Sequence, residues 1–262
     1  MGFWSRLLGK RDDQGHASDR EPLDLSIFQY DFHSHLVPGV YDGAPDLHAS
    51  LEMIDALVSL GYKGAVTTPH VMADMYPNTP DTLRLPFATL KQAVAERHPQ
   101  FTLALGAEYF LDAGLLDTIQ RGDPLLTPGG RLLFELAFSA PPDPGLLQGF
   151  IFEAQVKGLQ PVLAHIERYP YWHKELYRFQ ALHEQGVWLQ VNAASLAGAY
   201  GPETQRAAET CIDNGWVQLL GTDAHGMRHI NALEAARVRP ALHKLADVHS
   251  NQIGRASCRE RV

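Results

Sequence analysis

Seven times along the chain, a short apolar run is followed by an amphipathic helical stretch, and this alternation restricts the fold more than any other feature. The apolar runs fall at 27–33, 64–70, 102–110, 132–138, 160–166, 187–193 and 217–225. Strands that alternate with helices pair in parallel, because each helix returns the chain to the same end of the sheet. We therefore predict an α/β protein. The 262 residues and seven units favour a TIM-like β/α barrel, closed or partly closed, over an open sheet.

The helix predicted between the first two strands has the clearest pattern. Apolar residues from Leu47 to Val58 recur at helical spacing, Asp46 precedes them in the position of an N-cap, and Gly61 follows them. Further helices are predicted at 80–96, 112–120, 146–157, 174–185, 203–214 and 231–245. Each predicted strand is thus followed by a helix, as a parallel α/β fold requires.

The repeated units form one predicted domain at 26–249. Its hydrophobic content of 45% and charged content of 20% are ordinary for a globular protein. Residues 1–25 mix Phe3 and Trp4 with basic and polar residues, which indicates a flexible tail, with a weak interfacial anchor as the alternative. Residues 250–262 are polar and lack periodicity, so we interpret them as a vector-derived or disordered tail.

Charge, hydropathy and cysteine content exclude several classes of function. A formal net charge of -8 provides no basic surface for nucleic acid. No apolar run approaches the roughly 20 residues that a membrane-spanning helix needs, so we predict no transmembrane segment. The two cysteines, Cys211 and Cys258, provide no disulfide framework, and this favours a cytoplasmic location.

Imidazole and carboxylate groups recur where the predicted strands end. Any one of them alone is more often structural, but the carboxyl ends of all strands in a parallel barrel open on one face. Nine such groups exceed what one tetrahedral ion uses, so we predict two or three ions that share bridging carboxylates. Ligands without thiolate suit manganese, iron or zinc. The nine candidates are His33, His35, Asp42, His70, Glu108, Glu135, His165, Asp223 and His225.

Six blocks of sequence, in order along the chain, resemble the polymerase-and-histidinol-phosphatase (PHP) family. They are more closely similar to its bacterial, capsule-associated, metal-dependent protein tyrosine phosphatases. The blocks are DFHSHLVPG at 31–39, DGA at 42–44, TTPH at 67–70, GAE at 106–108, AHIERY at 164–169 and GTDAH at 221–225. The resemblance implies a distorted β/α barrel of the PHP type that carries three metal ions.

The resemblance also implies how the ligands divide among three divalent ions. The first ion would be held by His33, His35, Glu108 and Asp223, the second by Glu108, Glu135 and His165, and the third by Asp42, His70 and His225. The implied metal is manganese, with iron, zinc or magnesium as alternatives.

Two arginines and a histidine are the candidate catalytic residues. Arg168 lies beside His165, a predicted ligand, and can bind a phosphate with two N–H groups, although a surface ion pair with Glu167 or another neighbour is the alternative. Arg228 is a second candidate for phosphate binding. His229 is a candidate for protonating a leaving phenolate, or it is an ordinary loop residue.

Other residues near the predicted site allow two interpretations each. Tyr169, Tyr171 and Trp172 can pack against a phosphotyrosine ring or against the rim of the barrel. Asn192 can bind a ligand or complete a turn. Cysteine-based phosphatase chemistry is not supported, because no glycine-rich phosphate loop follows either cysteine, and Cys211 is expected in the core.

The function implied by the resemblance is metal-dependent hydrolysis of phosphotyrosine. The expected substrate is a tyrosine-phosphorylated protein, such as a bacterial tyrosine kinase of exopolysaccharide or capsule assembly. One alternative is a small-molecule phosphatase, for example one that acts on histidinol phosphate. A second alternative is a metal-binding regulatory scaffold without turnover.

Overall fold

The structure is a computed structural model that describes residues 20–248. The interpretations of residues 1–19 and 249–262 concern segments outside the described residues. In chain order the elements are β1 (Tyr30–Ser34), α1 (Leu47–Ser59), β2 (Gly64–Thr67), β3 (His70–Val71), α2 (Pro80–Arg97), β4 (Thr102–Leu105), β5 (Glu108–Phe110), α3 (Ala113–Arg121), β6 (Arg131–Glu135), α4 (Pro144–Val156), β7 (Gln160–Leu163), α5 (Tyr177–Glu184), β8 (Trp188–Asn192), α6 (Ala193–Leu196), α7 (Pro202–Asp213), β9 (Leu219–Gly221) and α8 (Met227–Ala236).

The strands form two sheets in which every named pair is parallel. One sheet has the order β1-β2-β4 and the other the order β3-β5-β6-β7-β8-β9. Most of the core is apolar side chains from helices and strands, such as Ile54 and Leu57 of α1. A smaller apolar cluster joins Phe32 of β1 to Leu133 of β6 and Val162 of β7. Because β1 and β6 are not paired, this contact crosses the concave side of the curled sheets. The predicted α/β class with parallel strands is confirmed.

Two of the predicted strands are each divided into two shorter ones. Pro69 lies between β2 and β3, where it has no backbone N–H to donate to a ladder. Gly106 lies between β4 and β5, where an added Cβ atom would sit 2.6 Å from Thr127 Cγ2. These breaks move the second half of each strand into the other sheet. There His70 and Glu108 are partners in register, which brings two of the predicted ligands together.

The chain after β9 hydrogen-bonds to β1. The backbone N–H groups of Thr222 and Asp223 donate to the carbonyl of His33, at 3.1 and 2.8 Å. The buried Asp31 carboxylate accepts from Thr222 twice, from its backbone N at 2.9 Å and its Oγ1 at 2.7 Å. Burial raises the pKa of Asp31 to about 6, and the bonds from Thr222 oppose that shift. These contacts fix the segment that carries Asp223 beside the end of β1.

The helices follow the prediction with one division. Asp46 is the N-cap of α1, where its side chain accepts from Ala49 N at 2.9 Å, as the sequence predicts. The single helix predicted at 231–245 is instead α8, which ends at Ala236, followed by helical residues 240–248. Pro240 lies at the start of the second helical segment, where it cannot continue the hydrogen bonding of the first. Within residues 20–248, no helix has both the length and the apolar character needed to span a membrane.

Candidate metal centre

The structure brings the first predicted ligand set together where β1 ends, where β5 begins and in the segment after β9. His33 Nε2 lies 3.1 Å from Glu108 Oε2, and His35 Nε2 lies 3.1 Å from Asp223 Oδ1. All four residues are buried, and they form one group whose ligand atoms lie within 4.8 Å of one another. This set matches the one that the sequence resemblance implies for the first ion.

The other ligands converge beside this group in a slightly different arrangement. The structure forms a second close group from His70, Glu108 and Glu135, and a third from His35, His70 and His225. His165 flanks the second group, with its Nε2 2.9 Å from Glu108 Oε1 and 3.8 Å from Glu135 Oε2. Asp42 flanks the third group, with its Oδ1 3.9 Å from His70 Nε2 and 3.7 Å from His225 Nε2. All nine predicted residues therefore meet in one cluster.

The donor atoms of the cluster fit divalent cations. The Nε2 atoms of His33 and His35 lie 3.0 Å apart, and both face the carboxylates of Glu108 and Asp223. A single proton on one ring cannot satisfy two nitrogens and two buried carboxylates at once. The Nδ1 atoms of His35 and His165 are buried and have no hydrogen-bond partner among residues 20–248. Cations shared among these nitrogen and oxygen atoms would compensate the buried carboxylates.

The cluster shifts the pKa values of its histidines in opposite directions. Burial lowers the pKa of His35 to about 4, and the nearby His225 adds to the shift. Burial acts on His33 in the same direction, but the carboxylates of Glu108 and Asp223 outweigh it and raise the pKa to about 10. Burial is likewise outweighed at His70, whose pKa rises to about 9 beside Glu108 and Glu135. Because metals take only neutral imidazole, metal binding at neutral pH must displace these protons.

Two of the ligand candidates have a backbone conformation that is rare outside glycine. His165 has φ 31° and Asp223 has φ 51°, both in the left-handed region. Such residues cost about 1–3 kcal/mol each and persist where surrounding contacts hold them, often at functional sites. The hydrogen bonds from Asp223 N to His33 and from His165 N to Gln190 are contacts of this kind. The chain therefore turns sharply at both strand ends and directs each ligand inward.

Two polar residues of the buried strand β8 support the ligands. Gln190 Oε1 accepts from His165 N at 2.8 Å and lies 3.1 Å from His33 Nδ1. If Nδ1 donates to Gln190, Nε2 of His33 is left as the ligand atom. Asn192 Nδ2 donates to Asp223 Oδ2 at 2.8 Å. Asn192 was a candidate from the sequence and Gln190 was not, although two polar residues that alternate in a buried strand were the available signal.

A pocket of about 220 Å³ adjoins the cluster. Six of the nine ligand candidates line it, and the rest of its wall is Phe138, Arg168, Tyr200, Arg228 and His229. The structure thus places all three candidate catalytic residues at one pocket. Phe138 and Tyr200 were not identified from the sequence, because they come from loops with no recognisable motif.

Arg168 does not pair with its neighbour Glu167. Its Nη1 donates to Asp223 Oδ2 at 2.9 Å. Glu167 is buried and accepts from Ser195 Oγ at 2.6 Å and from Asn192 N at 3.0 Å. Burial raises the pKa of Glu167, and these hydrogen bonds limit the rise. The alternative of an Arg168–Glu167 ion pair is therefore wrong.

His229 and the aromatic cluster have defined structural contacts. His229 Nδ1 accepts from His225 N at 3.0 Å, which places the ring proton on Nε2 when the ring is neutral. Burial, with the charge of His225, lowers the pKa of His229 to about 4. Tyr169 and Trp172 are buried, and the hydroxyl of Tyr169 accepts from Leu136 N at 3.0 Å. The aromatic cluster therefore packs within the rim rather than lining the pocket.

Parallel strands that carry this many imidazole and carboxylate groups to one pocket define the class of the protein. It is an α/β protein whose strand ends form a cluster able to hold metal ions, beside a pocket with two arginines. The chain belongs to the family described as capsular polysaccharide synthesis, CpsB/CapC, whose sequence profile matches residues 29–259. This match confirms the resemblance drawn from the sequence blocks.

Characterised relatives and a solved structure agree with this assignment. Tyrosine-protein phosphatase YwqE of Bacillus subtilis is 26% identical over 202 residues, 77% of this chain and 79% of that protein. Tyrosine-protein phosphatase CpsB of Streptococcus agalactiae is 24% identical over 203 residues, 75% of this chain and 83% of that protein. A crystal structure from work on YwqE of Bacillus subtilis and CpsB of Streptococcus pneumoniae, described as unique metal-dependent tyrosine phosphatases, matches with a TM-score of 0.74. Its identity is 25%, and the match covers 83% of this chain and 86% of that chain.

Proposed function

We propose that this protein is a metal-dependent protein tyrosine phosphatase. The observation that carries the proposal is the cluster of nine imidazole and carboxylate groups, six of which line the pocket that also holds Arg168 and Arg228. Hydrolysis of a phosphomonoester needs an activated water and positive charge around the phosphoryl oxygens. A relative named for this activity covers most of the chain, which supports the same conclusion.

We propose that the cluster holds three divalent ions, with manganese as the first candidate and iron, zinc or magnesium as alternatives. His33, His35, Glu108 and Asp223 would hold one ion, and the remaining ligands would hold the others. When bound, such ions lower the pKa of a water molecule and neutralise phosphoryl oxygens. The shared position of Glu108, close to His33, His70 and His165, is what a bridging carboxylate requires.

The two arginines of the pocket wall would bind and orient the phosphoryl group. Arg168 and Arg228 supply N–H groups that can donate to two phosphoryl oxygens. Gln190 and Asn192 of β8 orient His33 and Asp223 through hydrogen bonds, so the positions of these two side chains do not depend on the substrate. We propose that the Nε2–H of His229 donates a hydrogen bond to the leaving phenolate oxygen, since its Nδ1 already accepts one. Because the lowered pKa keeps the ring neutral, His229 stabilises the phenolate charge and keeps its own proton, and solvent supplies the proton that completes the phenol.

We infer that the two sheets constitute one distorted, TIM-like barrel of about seven strand–helix units within a domain at 26–249. Three observations support this inference. The divided strands β2–β3 and β4–β5 each belong to both sheets. An isolated parallel bridge joins Ser34 to Ala224, next to the hydrogen bonds between β1 and the chain after β9. The apolar cluster that includes Phe32 of β1 and Leu133 of β6 crosses the interior.

The proposed substrate is a tyrosine-phosphorylated protein in the cytoplasm, such as a bacterial tyrosine kinase that acts in capsule or exopolysaccharide assembly. The membership of a capsular polysaccharide synthesis family supports the pathway. The relatives named as tyrosine-protein phosphatases make histidinol-phosphate hydrolysis and a scaffold without turnover the less favoured functions.

The experiment that tests this function compares two substrates with the purified, manganese-loaded protein. We expect a phosphotyrosyl peptide to be hydrolysed with a far higher kcat/KM than histidinol phosphate. The reverse preference would replace the proposed function by a small-molecule phosphatase. No hydrolysis of either substrate, in protein shown to contain metal, would favour the scaffold.

A further inference from the structure

Four aromatic rings and one guanidinium group form a continuous column beside the metal cluster. The rings of Tyr171 and Tyr169 stack with centroids 5.9 Å apart, and those of Tyr169 and Phe138 stack at 5.7 Å. The guanidinium carbon of Arg168 then lies 4.6 Å from the Phe138 ring centroid and 4.5 Å from that of Tyr200. Arg168 therefore lies over two aromatic rings at the wall of the pocket.

The buried end of the column is anchored to the protein backbone. Tyr169 is fully buried, and its hydroxyl accepts from Leu136 N at 3.0 Å. The Tyr171 hydroxyl donates to the carbonyl of Ala137 at 2.9 Å. Both bonds reach the loop that follows β6, which also carries Phe138. Phe138 is thereby supported from the core side while 39% of its surface stays exposed.

The two rings and one hydrogen bond restrict the Arg168 guanidinium and leave other N–H groups available. Aromatic rings attract a cation that lies over them and exclude water from that side of the group. Within the plane, Nη1 donates to Asp223 Oδ2 at 2.9 Å, which sets the rotation of the group about its axis. A guanidinium has five N–H donors, and the donors on its edge are the ones that match phosphoryl oxygens. An arginine held in this way loses little side-chain freedom when it binds an anion.

We propose that Phe138 and Tyr200 are positioning residues that hold Arg168 in the orientation needed to bind the phosphoryl group. This inference rests on the proposed phosphatase function, because it assigns the anion that Arg168 binds. Neither residue is required to touch the substrate. The two rings act only through the guanidinium, so their effect should disappear when Arg168 is removed.

A double-mutant cycle measures that dependence. Phe138→Leu and Tyr200→Leu remove one aromatic face each, and each should lower kcat/KM for a phosphotyrosyl peptide by roughly 2- to 30-fold, the range of a cation–π contact. Tyr200→Phe keeps the face and should retain activity close to wild type. In the Arg168→Ala background, the same two leucine substitutions should each change kcat/KM by less than about twofold, because the group they position is absent.

Binding of inorganic phosphate to the metal-loaded protein, measured by calorimetry, gives a second readout that needs no turnover. Phe138→Leu and Tyr200→Leu should weaken phosphate binding in the same cycle and leave the metal content unchanged. Tyr177→Leu is the matched control, since Tyr177 is 61% exposed and lies over Arg178, outside the pocket. The control should change neither quantity.

Three results would overturn the proposal. The first is a decrease in kcat/KM from Phe138→Leu that is equally large with and without Arg168, which would show a general packing role. The second is a loss from Tyr200→Phe as large as that from Tyr200→Leu, which would assign the effect to the hydroxyl. The third is unaltered phosphate binding in both leucine variants. Failure of the proposed function is distinguished by wild-type protein that binds phosphate in this cycle but hydrolyses no phosphotyrosyl peptide.

Discussion

Arg168 donates a hydrogen bond to Asp223, a metal-ligand candidate, and also lines the pocket. Its substitution therefore tests both phosphate binding and metal binding. Arg168→Ala should reduce phosphotyrosine hydrolysis by roughly a hundred- to a thousandfold, the usual cost of losing one donor to a transition state. Arg168→Lys should recover only part of this loss, because an ammonium cannot copy the planar fork. Steady-state kinetics at saturating manganese measure both effects. Asn192 still donates to Asp223 in these variants, so we expect metal content to stay near wild type.

Arg178→Ala is the matched control for this substitution. Arg178 also lies beside an aromatic ring, that of Tyr177, and pairs with Glu175, but it lines a different cavity. Its removal should leave turnover unchanged. Near-normal kinetics of Arg168→Ala would show that another group, such as Arg228, binds the phosphate.

Gln190 should be necessary for tight metal binding although it is not a ligand. Gln190→Met keeps the volume of the side chain but removes the oxygen that lies beside His33 Nδ1 and accepts from His165 N. Loss of such a supporting contact typically weakens metal affinity by roughly 10- to 100-fold. A competition titration with a metal-binding dye measures this change. The control is Gln155→Met, an exposed glutamine that bonds to Gln185 O, and equal affinities for the two variants would refute the supporting role.

Cys211 should be chemically inert and dispensable for catalysis. It is fully buried on α7, and burial raises the pKa of its thiol to about 12. At pH 8 the thiol is therefore protonated, and the protonated form is not a nucleophile. Iodoacetamide should not label Cys211 in the folded protein, as peptide mass mapping would show, and Cys211→Ser should keep activity within a small factor. Loss of turnover in a folded Cys211→Ser variant would contradict the metal-based mechanism.

The positions of the strand ends explain which part of the site could be predicted from the sequence. His33 and Asp223 could be assigned because ligands at the ends of parallel strands meet on one face, whatever the exact register. The division of a strand at Pro69 was not foreseen, since the apolar run continues through it and only sheet pairing reveals the break. Phe138 and Tyr200 could not be found in this way. They meet Arg168 through loops whose course depends on tertiary packing.

Substitution of Asp31 tests the hydrogen bonds that join β1 to the chain after β9. Asp31→Ala removes two hydrogen bonds from Thr222, whose N–H and Oγ1 keep only the His33 carbonyl as acceptor, and it should lower the free energy of unfolding by about 1–3 kcal/mol. The pKa of Asp31 is raised to about 6 in the folded state, so its contribution is greatest below its unfolded pKa and falls as pH rises through about 6. Urea unfolding of chelated protein should therefore show a larger loss at pH 5 than at pH 8.

The exposed Asp81 provides a control for the Asp31 experiment. Asp81→Ala should change stability by less than about 0.5 kcal/mol at either pH, as is usual for surface substitutions. If Asp31→Ala lowers the free energy of unfolding equally at pH 5 and pH 8, or does not lower it at all, the Asp31 carboxyl group does not hold the two segments together.

The candidate metal centre is a property of the whole fold. Its imidazole and carboxylate groups extend along the sequence from His33 to His225 and reach one another only when both sheets are in place. An unfolded chain cannot hold ions in this arrangement, so bound metal should stabilise the folded protein. The same dependence explains why the sequence could give the ligand types but not their final grouping. His35 and His70 join groups that the resemblance assigned to Asp42 and His165.

The central claim is that the cluster of imidazoles and carboxylates holds the metal ions that make this protein a phosphotyrosine phosphatase. A metal titration of chelated protein tests it most directly, with bound manganese and hydrolysis of a phosphotyrosyl peptide measured on the same samples. We expect no turnover before manganese is added, and a rise in turnover that reaches its maximum when about three ions are bound. Full activity in protein shown to be free of metal, or no activity once the ions are bound, would contradict the claim.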